Sequence, residues 1–154
     1  MKLILSYITI SLLVLGSALA GETSDTRHPP YPIDYCLVSG EKLGSMEEPV
    51  KIEHEGREIQ FCCSSCVETF RQNPDKYLKK LDKEIIKTQS KDYPLTTCVV
   101  SGEELGTMGP PVKYTYKNQL VEFCCSGCID TFNEHPDAYL KQILAARNSA
   151  PAQE

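Results

Sequence analysis

An α+β fold of two tandem small modules, each a β-hairpin followed by short helices, is predicted for this chain by three observations. One cysteine pattern occurs twice: Cys36, Cys62, Cys63 and Cys66 are followed by Cys98, Cys124, Cys125 and Cys128, each displaced by 62 positions. Other residues keep the same step, among them Val38-Ser39-Gly40 with Val100-Ser101-Gly102, Phe61 with Phe123, Phe70 with Phe132, and Tyr77-Leu78-Lys79 with Tyr139-Leu140-Lys141. Such fidelity means that one unit is built twice. In both copies, two strand-like runs around a two-residue loop give way to helical spacing, so strands precede helices in each unit.

The elements follow in order. Residues 1–20 read as a secretory leader: Lys2 supplies the positive end, Leu3 to Leu15 a mostly apolar stretch, and Ala18-Leu19-Ala20 a small-residue cleavage site. The apolar run is short for a membrane span, which disfavours an uncleaved anchor, and no later segment reaches the roughly 20 apolar residues a span needs. No cysteine follows the cleavage site, which argues against a lipid anchor. The expectation is therefore an exported chain, periplasmic or secreted, starting at Gly21. Residues 21–30 are polar and carry prolines, and form a flexible lead.

The first repeat covers residues 31–81 and the second residues 93–145. Val50 to His54 and Arg57 to Phe61 flank Glu55-Gly56, and Val112 to Tyr116 and Gln119 to Phe123 flank Lys117-Asn118, which suits a tight hairpin. Ser64 to Gln72 and Ser126 to Glu134 then place Val67 and Phe70, or Ile129 and Phe132, at helical spacing, and Pro74 or Pro136 ends that helix. A second short helix starts at Asp75 or Asp137, whose charge complements the helix dipole, with Tyr77, Leu78 and Leu81 as the first copy's apolar stripe. The connector, residues 82–92, extends the first of these helices until Ser90. Residues 146–154 read as a disordered tail.

Charge and size limit the function. Loss of the leader removes one lysine and leaves 15 basic against 21 acidic side chains, so a nucleic-acid partner is not expected. Modules of about 50 to 60 residues gain only marginal stability from burial and need staples. Four sulfurs per module can supply them, as two disulfides or as a metal site, and an exported location permits both. No paired catalytic carboxylates, phosphate loop or Ser-His-Asp arrangement is recognisable, so an enzyme is not expected.

The thiols sit where chemistry favours them. Cys62, Cys63 and Cys66, like Cys124, Cys125 and Cys128, fall where a strand enters the first turn of a helix, whose free amides and dipole lower thiol pKa values. Cys36 and Cys98 precede a tight glycine turn that can fold one sulfur over the helix start, giving a four-sulfur cup. Helical neighbours three apart hold their Cβ atoms about 5 to 6 Å apart, wider than the roughly 3.8 Å of a disulfide, and a metal tolerates that spacing. All eight cysteines are thus candidate metal ligands. Adjacent side chains diverge, so one of Cys62 and Cys63, and one of Cys124 and Cys125, completes each site. Two further readings stand beside the metal: a disulfide-stabilised interaction module, and a thiol redox protein using Cys63-Ser64-Ser65-Cys66 and Cys125-Ser126-Gly127-Cys128. Met46 and Met108 recur and suit soft Cu(I), but a thioether filling a gap beside the glycine turn is the expected role, which leaves them outside the candidate ligand set. The histidines do not recur, since His28 aligns with Ser90, His54 with Tyr116 and His135 with Asn73; they are expected at the surface.

The run from Cys36 through Phe61-Cys62, Cys66, Phe70, Pro74 and Tyr77 resembles the TRASH and YHS group of small cysteine domains, and the second copy matches at Cys98, Phe123-Cys124, Cys128, Phe132, Pro136 and Tyr139. The resemblance covers both repeats. It implies a treble-clef-like module, a role in heavy-metal sensing, trafficking or resistance, and a ligand set of the lone cysteine with Cys62 and Cys66, or Cys124 and Cys128. Zn(II) or Cu(I) is the implied metal, and an efflux or acceptor protein the implied partner. Two departures stand out. The intervals Cys36 to Cys62 and Cys98 to Cys124 are slightly long, and Cys63 and Cys125 add a sulfur where the group often has serine.

Overall fold

A computed structural model describes residues 31–45 and 47–149. The predicted leader, the predicted polar lead, Met46 and the last five residues of the predicted tail lie outside the described residues. The element order is β1 (Val50–His54), β2 (Arg57–Phe61), α1 (Ser64–Gln72) and α2 (Pro74–Gln89), then β3 (Val112–Tyr116), β4 (Gln119–Phe123), α3 (Cys128–Glu134) and α4 (Pro136–Ser149). The architecture is α+β: two separate two-stranded antiparallel sheets, each followed by two helices.

Each hairpin closes through a two-residue loop in which both residues take positive φ: Glu55 at 51° and Gly56 at 72°, Lys117 at 46° and Asn118 at 64°. That backbone twist matches the strands it joins, and it pins the register Val50 opposite Phe61 and Val112 opposite Phe123. Before each hairpin a second loop is fixed by the same three backbone bonds in both copies. In the first, the Cys36 amide donates to the Glu41 carbonyl at 2.8 Å, Gly40 to Cys36 at 2.9 Å and Leu43 to Asp34 at 2.8 Å. Gly40 and Gly102 hold φ of 80° and 77°, which a side chain would strain. The chain therefore folds back immediately after each lone cysteine.

The helices depart from expectation at their ends. Helix α3 starts at Cys128, not Ser126, because Gly127 stands where the first copy has Ser65 and lowers helix propensity in the first turn. There the Cys128 and Ile129 amides reach back only three residues, to Cys125 and Ser126. Helices α2 and α4 begin at Pro74 and Pro136, one residue before the predicted aspartates, since a proline costs nothing at the first helical position. Helix α2 is 16 residues long and absorbs most of the connector. Helix α4 runs to Ser149, so residues 146–149, assigned to a disordered tail, are helical.

Each module has its own core. In the first, Phe61 and Phe70 pack with centroids 5.3 Å apart beside Leu37, Ile59, Leu81 and Ile85. In the second, Phe123 and Phe132 pack 5.5 Å apart beside Val121, Leu140 and Ile143. His54 is not a surface residue: half-buried, it meets Phe70 edge-on at 5.2 Å, the place that Tyr116 takes against Phe132 at 5.5 Å. His135 is exposed, and His28 is outside the described residues.

The modules meet along α2. Asn118 donates from Nδ2 to the Glu58 carbonyl at 2.6 Å and accepts from Arg57 Nε at 3.0 Å, while Thr115 donates to the Asp82 carboxylate at 2.8 Å. Gln89 donates to the Asn118 carbonyl at 2.9 Å and accepts the Leu120 amide at 2.8 Å. Arg57 and Asp82 also pair at 2.8 Å. Leu120 is a second-module residue buried in the first module's core.

Candidate metal centres

Three elements of each module converge on one point. The folded-back loop carries Cys36, the end of β2 delivers Cys62, and the first turn of α1 presents Cys66; Cys98, Cys124 and Cys128 come from the corresponding places. The sulfurs of Cys36, Cys62 and Cys66 all lie within 4.8 Å of one another, as do those of Cys98, Cys124 and Cys128. Cys62 to Cys66 is 3.6 Å and Cys124 to Cys128 is 3.8 Å. Thiolates bound to one ion through bonds of about 2.3 Å stand roughly 3.8 to 4.0 Å apart, so both sets fit a single metal ion. All eight cysteines are free thiols.

The expected four-sulfur cup is therefore three sulfurs with a fourth at its rim. Cys63 caps the N-terminus of α1 in extended backbone. Its sulfur lies 3.8 Å from that of Cys62 and 3.6 Å from that of Cys66. Cys125 stands 4.0 Å from Cys124 and 3.9 Å from Cys128. Adjacent side chains point apart, so Cys62 and Cys124 join the lone cysteine while Cys63 and Cys125 turn outward, half-buried.

Thiol ionisation is distributed unevenly. Burial resists the charge on Cys36, but the Ser39 hydroxyl and the amides of Ser39, Cys62 and Val38 outweigh it and hold the thiol down at about 7. Burial likewise opposes Cys98, where the Ser101 hydroxyl and the amides of Ser101, Cys124 and Val100 bring it to about 6. Lowered values were expected at the helix starts, yet Cys66 is pushed up, first by burial and then by the neighbouring thiols, and Cys128 reaches about 12 for the same reasons. At Cys62 the Ser39 hydroxyl favours the thiolate, but burial with the Cys36 and Cys63 thiols outweighs it, and the value rises. The rim thiols follow the expectation. Cys63 falls to about 7 through the Ser65 hydroxyl and then Cys66, and Cys125 is lowered by the Cys128 thiol and then the Gly127 amide. A metal entering the triad would replace the protons that the buried thiols share.

Two residues acquire a role that the sequence pattern did not suggest. The hydroxyls of Ser39 and Ser101 lie 3.3 Å from the sulfurs of Cys62 and Cys124, while their amides face Cys36 and Cys98. They orient two sulfurs at once. The signal was present as a serine three places after each lone cysteine. Met108 is 64% exposed, so it fills no gap in the core. Among the described residues no helix is long and apolar enough to cross a membrane. Comparison of the chain with family models, curated proteins and solved structures finds no match.

Proposed function

We propose that the chain is an exported heavy-metal-binding protein with one thiolate site per module, a tandem relative of the TRASH and YHS domains. The observation that carries this is the pair of sulfur triads, formed twice from the same three places in the fold at separations that suit one ion. The order of a folded-back loop, a hairpin and a helix start supports a treble-clef-like module. Thiolate ligands select soft or borderline ions, hence Zn(II) or Cu(I), captured, buffered or passed to an efflux or acceptor protein. Ser39 and Ser101 supply the outer hydrogen bonds that metal sites use to orient their ligands.

Native mass spectrometry of protein purified without reductant tests the reading, with one ion per module expected. Four disulfides with no metal uptake after reduction would instead make the cysteines a structural scaffold. Cys66→Ser and Cys128→Ser should each remove one metal equivalent and leave the other module loaded. Loss of both from either substitution would mean a shared cluster.

A further inference from the structure

The four sulfurs of each module form two triangles with a common edge. In the first module the inner triangle is Cys36, Cys62 and Cys66. The outer one is Cys63, Cys62 and Cys66, with sides of 3.8, 3.6 and 3.6 Å. The second module repeats this with Cys125, Cys124 and Cys128 at 4.0, 3.8 and 3.9 Å. The two triangles face different surroundings. Cys36 and Cys98 are 0% and 1% exposed, whereas Cys63 and Cys125 are half-buried beside exposed Ser64 and Ser126.

We propose that the inner triangle stores the metal and the outer one is its doorway, Cys63 and Cys125 being the thiols through which the ion passes to a partner with exposed thiols. This rests on the thiolate-site reading above. Crossing the shared edge, the ion keeps its bonds to Cys62 and Cys66 while the bond to Cys36 breaks and one to Cys63 forms, the Cys63 thiol proton passing through solvent to the released Cys36, so the ion never has fewer than two sulfurs. An acceptor thiolate then bonds to the ion as the module's cysteines leave it. No electron is transferred, and the acceptor's thiol protons pass through solvent to the vacated cysteines. In both copies the set of sulfurs within 4.8 Å of one another that contains the lone cysteine leaves out Cys63 or Cys125, where a sulfur that completed a resident four-coordinate site would belong to it.

The full chain loaded with Zn(II) alone tests this. Wild type and the combined Cys63→Ser, Cys125→Ser variant are compared for zinc content and for the rate of release to a colorimetric chelator, with thermal unfolding as a folding check. The proposal expects two zinc ions in both proteins and release from the variant slower by about tenfold, the equivalent of about 1.4 kcal/mol in the barrier. Equal release rates, or loss of zinc from a folded variant, would overturn it. A measurement that needs no variant is alkylation of the loaded wild type: Cys63 and Cys125 should react well before Cys36 and Cys98. Equal protection of all four would make the rim thiols resident ligands and overturn the doorway. Failure of the wild type to take up any zinc would overturn the thiolate-site reading itself, a distinguishable result.

Discussion

At the scale of single residues, the serine of each glycine turn decides how the lone cysteine ionises. Ser39 directs its hydroxyl and its amide toward the cluster from one position, so Ser39→Ala removes the hydroxyl bond and leaves the amide. Outer partners of metal ligands are worth about 10- to 100-fold in affinity. Ser39→Ala and Ser101→Ala should each weaken zinc binding in their own module by about tenfold, read by chelator competition. The buried phenol of Tyr31 gives a pH prediction. Burial pushes it up to about 12 from an ordinary 10.0. A group raised in the folded state contributes stability that is complete below its unfolded value and lost as pH climbs toward its folded one. Denaturant stability should therefore fall between pH 10.0 and about 12, and Tyr31→Phe should flatten that decline. The two cysteine clusters themselves were legible from spacing alone. The serine hydroxyls were not, because a serine beside a glycine turn is explained equally well by the turn.

At the scale of elements, strands and loops were readable to the residue because two constraints agreed: side-chain alternation and a loop that requires positive φ at both positions. Helix ends were less so, since propensity and capping compete within a turn. Gly127 shows this in one residue. Its φ of −64° is open to any L-residue, and a Cβ there would meet only Cys125 Sγ at an ordinary 3.9 Å. Gly127→Ala should extend α3 toward the start seen in α1 and raise stability by about 0.4 to 1 kcal/mol, measured by chemical denaturation. The shared Phe61–Phe70 and Phe123–Phe132 pairs carry a larger effect: Phe132→Ala should cost about 3 to 5 kcal/mol and empty the second site first.

At the scale of the whole molecule, the copies touch where they have stopped being alike. Asn118 replaces Gly56, Leu120 replaces Glu58, and Asp82 replaces Leu144, and each of these non-repeated residues lies in the contact between modules. The repeat told how each unit folds but nothing of how the two dock, because docking rests on positions that break the repeat. Gln89→Ala would leave the Asn118 carbonyl and the Leu120 amide without their partner, a loss of about 1 to 3 kcal/mol. It should split a single calorimetric transition into two, with zinc content unchanged at two ions.

The same glutamine has a consequence for solubility. A sheet of two strands is all edge, and unpaired edge amides and carbonyls are templates for strands of other molecules. Gln89 sets its side-chain amide against the Leu120 N–H of β4 and the carbonyl of Asn118 in the loop just before it, imitating a third strand too short to be extended. Tyr93 covers the next amide of that edge, its hydroxyl accepting the Glu122 N–H at 3.1 Å, and without these two plugs crowding at high concentration would bring β4 of one chain against β4 of another.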